Sequence, residues 1–287
     1  MRSAVLVRAA RPRHWLKNVL VVAAPVAAGV ALQPRVLVPT LLAFVAFCLA
    51  ASGIYLVNDV LDIELDRHHP NKRLRPVASG SLSVPTAATV GSVVLLAALA
   101  LSVLVSVPLF LVLLVYELIQ LGYCFGLKHE PVIELGLVSS GFVLRAVAGG
   151  VANDLPLSNW FLMAGGFGSL FMVAGKRYAE VLLAERTGLL IRRVLSRYTS
   201  TFLRFVWTVG AGALIMTYAL WAFERRDTDN NIWTLVSLVP LVFGVLRYAL
   251  DIDSGSTDAP ERIVVTDRVL LVTAVLWAAS FLVSVYA

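Results

Sequence analysis

Three aspartates and one asparagine near the end of an apolar stretch carry the clearest chemical signal in this sequence. They lie in the segment NDVLDIELD, as Asn58, Asp59, Asp62 and Asp66. If a helix continues through this segment, the four side chains share about one quarter of its circumference, at about 100° per residue. Three carboxylates on one stripe repel each other unless a cation lies among them, and oxygen ligands of this kind suit Mg²⁺ shared with a phosphate group. We therefore predict that all four residues bind Mg²⁺ and that the three aspartates are catalytic.

A turn rich in basic residues, HHPNKRLRPVASG, follows the acidic segment directly. Carboxylates that bind metal, next to bases that bind phosphate oxygens, are typical of a diphosphate site. Lys72 and Arg75 are accordingly predicted to bind substrate. Basic residues alone would more often fix the orientation of a membrane protein, and His68 and His69 are assigned no role.

The composition is that of a membrane protein. Of the 287 residues, 59% are hydrophobic and 15% are charged, whereas soluble domains contain about 45–50% apolar and about 25% charged residues. A net charge of +6 could attract nucleic acid, but the bases lie mostly in short loops, which is typical of orientation in a membrane. We predict a membrane lipid environment and no nucleic-acid partner.

Apolar stretches of about 20 residues, long enough to cross a bilayer, recur along the whole chain. They predict an all-α, polytopic membrane protein with a single integral membrane catalytic domain over residues 1–287. Nine transmembrane helices are predicted, at residues 17–34, 37–58, 84–104, 107–126, 131–151, 159–176, 203–223, 232–250 and 268–286.

The basic residues divide unequally between the two sets of connecting loops. One side has only Arg35, Arg225 and Arg226, whereas the other holds most of the bases, in the N-terminus and residues 59–83, 127–130, 177–202 and 251–267. Because positive charge favours the cytoplasmic side, we predict a multi-pass plasma-membrane protein with a cytoplasmic N-terminus. Its polar cavity and its active site then face the cytosol.

Three segments together resemble a known family. NDVLDIELD followed by HPNKRLRPVASG resembles the first aspartate motif of the UbiA superfamily of intramembrane prenyltransferases. RPRHWLKN at 11–18 and YCFGLKHEPVIELG at 123–136 are also similar to that superfamily. The likeness covers nearly the whole chain and implies a UbiA-type helical bundle of nine spans.

The sequence departs from the usual second aspartate motif of that superfamily. GKRYAEVLLAERTG stands at this place, with Lys176, Arg177 and Glu180, so that a Lys-Arg pair replaces the expected carboxylates. This segment, with FVLRAVAGG around Arg145, is similar to the actinobacterial branch, the decaprenyl-phosphate phosphoribosyltransferases. The resemblance implies Mg²⁺, 5-phosphoribosyl 1-diphosphate as donor and decaprenyl phosphate as acceptor, with a product that is a precursor for cell-wall arabinan.

Substrates with three phosphate-bearing groups need more cations than the acid stripe and its turn provide. Arg145 lies inside an apolar stretch, where a charge usually faces a cavity. Lys176 and Glu180 could instead form an ordinary helix pair, and an interfacial tyrosine is often only an anchor. The further predicted substrate-binding residues are Asn58, Lys17, Lys128, Arg145, Lys176, Arg177, Glu180 and Arg197, with Tyr178 and Tyr198 beside the sugar.

Two other functions stay open on the sequence alone. The first is prenyl transfer from a prenyl diphosphate to an aromatic acceptor, which keeps the fold and changes the donor. The second is transport of an anionic metabolite, for which an internal inverted repeat would be expected. A homo-oligomer is compatible with the sequence, and small residues permit close helix packing beside a lipid groove.

Overall fold

A computed structural model describes residues 2–187, 193–229, 231–254 and 266–286. Within these ranges the regular structure consists of α-helices and short 3₁₀ helices, without a strand. The all-α prediction is therefore confirmed. Residues 188–192 and 255–265 lie outside the described residues, so the predicted cytoplasmic loops 177–202 and 251–267 are described only in part.

Eleven α-helices are described in these ranges, and most of them are long. The short ones at the N-terminal end are α1 (Arg2–Ala10), α2 (Ala23–Ala27) and α4 (Ile63–His68), with α3 (Pro34–Leu61) between the last two. The others are α5 (Val84–Val105), α6 (Val107–Cys124), α7 (Ile133–Val151), α8 (Asn159–Thr187), α9 (Ser200–Asp229), α10 (Trp233–Ser254) and α11 (Arg268–Tyr286). Four 3₁₀ helices join them, at Pro12–Val22, Lys72–Leu74, Leu127–His129 and Arg193–Arg197.

Seven of the described helices are long and apolar enough to cross a membrane, namely α3, α5, α6, α7, α9, α10 and α11. The chain is thus a multi-pass membrane protein, but nine spans are not confirmed. Residues 17–34 do not form one helix: a 3₁₀ helix ends at Val22, α2 ends at Ala27, and a turn with the left-handed Gly29 (φ 72°) precedes α3. Residues 159–176 do begin the 29-residue helix α8, although its glycines and Lys176 lower its mean hydropathy.

The first compact unit comprises Met1–Lys128 and Leu144–Pro156. Its apolar core contains Phe47, Leu109 and Leu113, none of which is exposed. Gly149 brings the backbone of α7 against the N-terminal 3₁₀ helix, because a Cβ there would lie 1.7 Å from the carbonyl oxygen of Val21. This close approach places residues 12–22 next to the segment that carries Arg145.

The second compact unit comprises His129–Val143 and Leu157–Ala287. In this unit α8 packs against α9, and α10 packs against α11. Aromatic side chains fill its core, with the ring of Phe171 lying 6.3 Å from Trp207 and 5.4 Å from Tyr248 between centroids. Gly210 allows α9 to approach α8 closely, since a Cβ there would lie 3.0 Å from the backbone nitrogen of Phe171.

Candidate functional site

The acid stripe begins at the end of α3 and continues into α4. The helix breaks at Asp62, which has φ −95° and ψ 9° and lies between Leu61 and Ile63. Helical hydrogen bonds continue on both sides of the break, from Asp62 N to Asn58 O and from Asp66 N to Asp62 O. The predicted continuous helix is therefore wrong at one residue, although the side chains keep much of their helical phase.

Asp59 and Asp66 form one half of this site and share a single base. Both are buried, with 1% and 2% of their surface exposed. Arg75 Nη1 donates to Asp66 Oδ2 at 2.5 Å and to Asp59 Oδ1 at 3.3 Å. Because a buried carboxylate is stable only when it is paired and hydrogen-bonded, Arg75 compensates both charges.

Asn58 and Asp62 form the other half, and they share Lys128. The ammonium group of Lys128 lies 2.5 Å from Asp62 Oδ1 and 3.4 Å from Asn58 Oδ1. Lys128 lies in the 3₁₀ helix Leu127–His129, which follows α6. The structure thus brings six predicted residues, Asn58, Asp59, Asp62, Asp66, Arg75 and Lys128, into one group, which we call the aspartate group.

Arg11 belongs to this group as well and was not predicted to be part of the site. Its Nη2 forms a close ion pair with Asp59 Oδ1, and its guanidinium lies 4.9 Å from the ring centre of Tyr55. Arg11 is the first residue of the motif RPRHWLKN. The motif indicated the family resemblance, but it did not indicate which of its basic residues pairs with the aspartates.

The rest of this motif lies along the same face of α3. The ring of His14 lies 5.3 Å from the ring of Tyr55, and Trp15 Nε1 donates to Ser52 Oγ at 3.0 Å. We call the residues 11–18 the N-terminal strap. Its contacts follow one helix face of α3 for about 16 Å, at about 1.5 Å per residue.

The strap ends at a buried polar group around Arg145. Asn18 Nδ2 lies 3.2 Å from the sulfur of Cys48, and Asn18 Oδ1 accepts from Arg145 Nε at 2.7 Å. Arg145 Nη2 donates to the hydroxyl of Tyr116 at 2.9 Å. Only 7% of Arg145 is exposed, so a charge inside an apolar helix is held by polar partners. This burial accords with the functional significance expected of an intramembrane charge.

The side chains of the aspartate group can be compared with the ligands that a metal ion requires. Within the described ranges, no three carboxylate, imidazole or thiol side chains lie together closely enough to hold a metal ion by themselves. Asp59 Oδ2, however, is buried and has no hydrogen-bond partner among the described residues. Carboxylate and amide oxygens near phosphate-binding bases suit Mg²⁺, which keeps several waters and is usually shared with substrate phosphates. The residues present therefore fit a magnesium ion that a phosphate substrate helps to hold.

The second unit contains a separate buried ion group. Arg177 forms a close pair with Glu134 and donates from Nη1 to Glu180 at 2.9 Å. Arg177 and Glu134 are both buried, and Glu134 is fully so. The structure thus pairs Glu180 with Arg177, three residues earlier, and it shows a partner, Glu134, that was not predicted.

Tyr178 and Tyr198 are both buried in the second unit. The hydroxyl of Tyr178 accepts from Arg204 Nη2 at 2.7 Å and donates to Asp253 Oδ1 at 3.1 Å, which joins α8, α9 and α10. The hydroxyl of Tyr198 accepts from the backbone nitrogen of Val132 at 2.8 Å. Burial raises the pKa of Tyr198, so it stays protonated.

The remaining predicted residues lie nearer the surface of their units. Arg197 is exposed and donates to Glu130 Oε2 at 3.2 Å and to the carbonyl of His129. Lys17 is exposed on the N-terminal strap, whereas Lys72 and Lys176 are half-buried. The roles of Arg197, Lys17, Lys72 and Lys176 therefore stay predictions.

In the part of the chain that the structure describes, seven apolar helices and a polar group of aspartates and bases define a class, a multi-pass membrane protein with a buried group of acids and bases. Within this class, the chain belongs to the UbiA prenyltransferase family, whose sequence model matches residues 20–262. The predicted family is thereby confirmed.

Relatives of known name match over almost the whole chain. A decaprenyl-phosphate phosphoribosyltransferase from Mycobacterium tuberculosis is 53% identical over 279 residues, which cover 96% of this chain and 92% of the relative. One from Corynebacterium glutamicum is 50% identical over 287 residues, covering 98% of this chain and 86% of the relative. A solved UbiA homolog from Archaeoglobus fulgidus bound to GPP and Mg²⁺ has the same fold, with a TM-score of 0.72 at 19% identity, covering 98% of this chain and 99% of that one.

Proposed function

We propose that this protein transfers the 5-phosphoribosyl group from 5-phosphoribosyl 1-diphosphate to decaprenyl phosphate and releases diphosphate. The observation that carries the proposal is the match to relatives of that name at 50–53% identity over nearly the full chain. The aspartate group supports it from within the structure, because its acids and bases suit a metal and a diphosphate together. The product is then decaprenylphosphoryl 5-phosphoribose, a precursor for cell-wall arabinan.

The donor diphosphate is assigned to the aspartate group of the first unit. Asn58, Asp59, Asp62 and Asp66 would hold Mg²⁺, which neutralises charge on the leaving diphosphate when it is bound. Arg75 and Lys128 then donate to diphosphate oxygens. Lys72, which lies in the same turn as Arg75, adds a third cation. Stabilising the charge that develops on the leaving group is usually the largest catalytic contribution.

The acceptor needs no general base in this reaction. A phosphate monoester is already anionic at neutral pH, so its oxygen attacks C1 of the ribose directly. The new bond joins that oxygen to C1 as the bond from C1 to the diphosphate oxygen breaks, and the electron pair leaves with the diphosphate. A single displacement of this kind inverts the configuration at C1.

The remaining charged and aromatic residues are assigned to the other phosphates and the sugar. The 5-phosphate and the lipid phosphate need cations in addition to the aspartate group. The bases proposed for them are Lys17, Arg145, Lys176, Arg177 and Arg197, with Glu180 orienting Arg177 and Tyr178 and Tyr198 beside the ribose. The lipid tail would lie in a groove between helices, open to the bilayer.

The distribution of basic residues supports a cytoplasmic orientation for this activity. The bases of the aspartate group and of α8 belong to the side that the positive charge assigns to the cytosol. We therefore propose that the N-terminus and the active site face the cytoplasm and that the chain acts as one catalytic domain over 1–287.

The test offers purified protein in detergent two donors with matched acceptors. One reaction contains labelled 5-phosphoribosyl 1-diphosphate and decaprenyl phosphate, and the other contains a labelled prenyl diphosphate and an aromatic acceptor. We expect label in the lipid product only in the first reaction. Consumption of the prenyl diphosphate, with no transfer of phosphoribose, would replace the proposal by prenyl transfer.

A further inference from the structure

Arg11 contacts the most deeply buried acid of the aspartate group from an unusual backbone conformation. Its φ of 53° and ψ of 61° lie in the left-handed region, which is uncommon for a residue other than glycine. Strained residues persist where the surrounding structure holds them. The contacts of His14 and Trp15 with α3 hold the backbone next to Arg11, and the Arg11 side chain reaches Asp59 and the ring of Tyr55.

The two oxygens of Asp59 are treated differently. Oδ1 accepts from both Arg11 and Arg75, so two guanidinium groups approach one carboxylate oxygen. Oδ2 is buried and has no hydrogen-bond partner among the described residues. Two like charges at one oxygen repel each other, and a second oxygen lacks compensation. The guanidinium groups of Arg11 and Arg75 thus neutralise the Asp59 carboxylate where a metal ion could do so.

The charges of the aspartate group already balance without a metal. Asp59, Asp62 and Asp66 are offset by three bases, Arg11, Arg75 and Lys128. A divalent cation entering alone would therefore meet three competing positive charges. A cation entering with a diphosphate would instead give the bases a new anionic partner.

We propose that the guanidinium of Arg11 pairs with Asp59 in place of the metal ion. When the metal binds Asp59, this guanidinium moves to the donor diphosphate and pairs with it instead. This role rests on the proposed function of the aspartate group. Arg11 is then a residue that both opposes the binding of a bare metal ion and favours the binding of the metal–diphosphate complex. These two effects have opposite signs, and their size relative to the removal of the charge at Arg13 distinguishes direct exchange from a general electrostatic effect.

The N-terminal strap permits this exchange without unfolding. His14, Trp15 and Asn18 contact Tyr55, Ser52 and Cys48 on α3. These contacts fix the backbone of the strap beside the aspartate group, so only the side chain of Arg11 has to move.

The test compares Arg11→Gln with Arg13→Gln, which removes the same charge from an exposed position two residues further along the strap. Binding of Mn²⁺ alone, without phosphate, is measured by electron paramagnetic resonance in detergent. We expect Arg11→Gln to bind Mn²⁺ about fivefold or more tightly than wild type, in the range usual for coupled sites, and Arg13→Gln to stay within about twofold.

The same variants are then titrated with diphosphate at saturating Mn²⁺. Arg11→Gln should bind diphosphate about fivefold or more weakly than wild type, because a charged donor is lost. Mn²⁺ affinity no higher than that of Arg13→Gln, or an unchanged diphosphate affinity, would overturn the exchange. Arg11→Met, which also removes the charge and keeps the length of the stem, repeats both measurements if Arg11→Gln is not monodisperse.

Failure of this role and failure of the proposed function give different results. If both affinities shift as expected but wild type transfers no phosphoribose, Arg11 acts on a metal–diphosphate site of another reaction. If wild type transfers phosphoribose and the affinities do not shift, the function stands and Arg11 is a structural partner of Asp59.

Discussion

Asp59 and Asp66 lie seven residues apart and accept hydrogen bonds from the same nitrogen, Nη1 of Arg75. A separation of seven residues corresponds to nearly two helical turns, so the carboxylates face the same direction across the break at Asp62. One guanidinium thus fixes two acids on consecutive helices, α3 and α4. Because Arg75 joins the two acids, loss of the charge on Asp66 should also disturb Arg75.

Asp66→Asn should lower kcat/KM for the donor by about 100-fold, as expected when one electrostatic contact to the reacting groups is lost. The amide keeps the shape of the side chain and removes the charge that orients Arg75. The measurement is steady-state transfer of labelled phosphoribose. Glu64→Gln is the control, since Glu64 is exposed on the same short helix and forms a surface ion pair with Arg67. Equal activities of the two variants would contradict the assignment of Asp66.

Lys128→Met should raise KM for 5-phosphoribosyl 1-diphosphate by about tenfold or more, because a hydrogen bond to a charged group is lost. Lys128 contacts Asn58 and Asp62 and is expected to move to a diphosphate oxygen. Arg35→Gln removes a positive charge from an exposed position on the other loop set and should leave KM unchanged. An unaltered KM in Lys128→Met would mean that this lysine serves only to neutralise Asp62.

Glu134→Gln should destabilise the protein by about 3 kcal/mol, because it leaves the buried guanidinium of Arg177 with one charged partner fewer. Thermal unfolding in detergent measures the effect. Glu130→Gln is the matched control, since Glu130 and Arg197 form an exposed pair, whose loss costs less than about 1 kcal/mol. Similar melting temperatures for the two variants would show that the pair of Glu134 and Arg177 contributes little.

Gly149→Ala should lower both stability and activity. The added Cβ would lie 1.7 Å from the carbonyl oxygen of Val21, so the 3₁₀ helix that carries Asn18 must shift away from Arg145. Gly136→Ala is the control on the same helix α7, because a Cβ there meets nothing within 4 Å. We expect Gly136→Ala to lose neither stability nor activity, since alanine favours a helix by about 1 kcal/mol over glycine. If Gly149→Ala unfolds at the same temperature as Gly136→Ala, the close approach at Val21 does not constrain the fold.

Much of the aspartate group could be predicted because its order is local. An ideal helix places Asn58 and Asp62 about 40° apart, and Asp59 and Asp66 about 20° apart. The structure pairs these same residues, the first two with Lys128 and the last two with Arg75. Helical phase therefore survived the break at Asp62.

Two contacts could not be predicted because they join distant parts of the chain. Arg11 meets Asp59 across 48 residues, and Arg177 meets Glu134 across 43. No periodicity relates such pairs, since tertiary packing alone selects the partner among several bases. The span predicted at 17–34 is not confirmed, for a related reason. Its hydropathy suggested one helix, whereas the left-handed Gly29 and the packing of Val21 against Gly149 favour a segment of two short helices and a turn.

We propose that the aspartate group uses Mg²⁺ to hold the donor diphosphate for phosphoribosyl transfer. The most direct measurement follows label from 5-phosphoribosyl 1-diphosphate into decaprenyl phosphate, with and without Mg²⁺, in wild type and Asp62→Asn. We predict Mg²⁺-dependent label in the lipid phase for wild type and about 100-fold less for Asp62→Asn. Transfer that continues at the wild-type rate without Mg²⁺, or in Asp62→Asn, would contradict the claim.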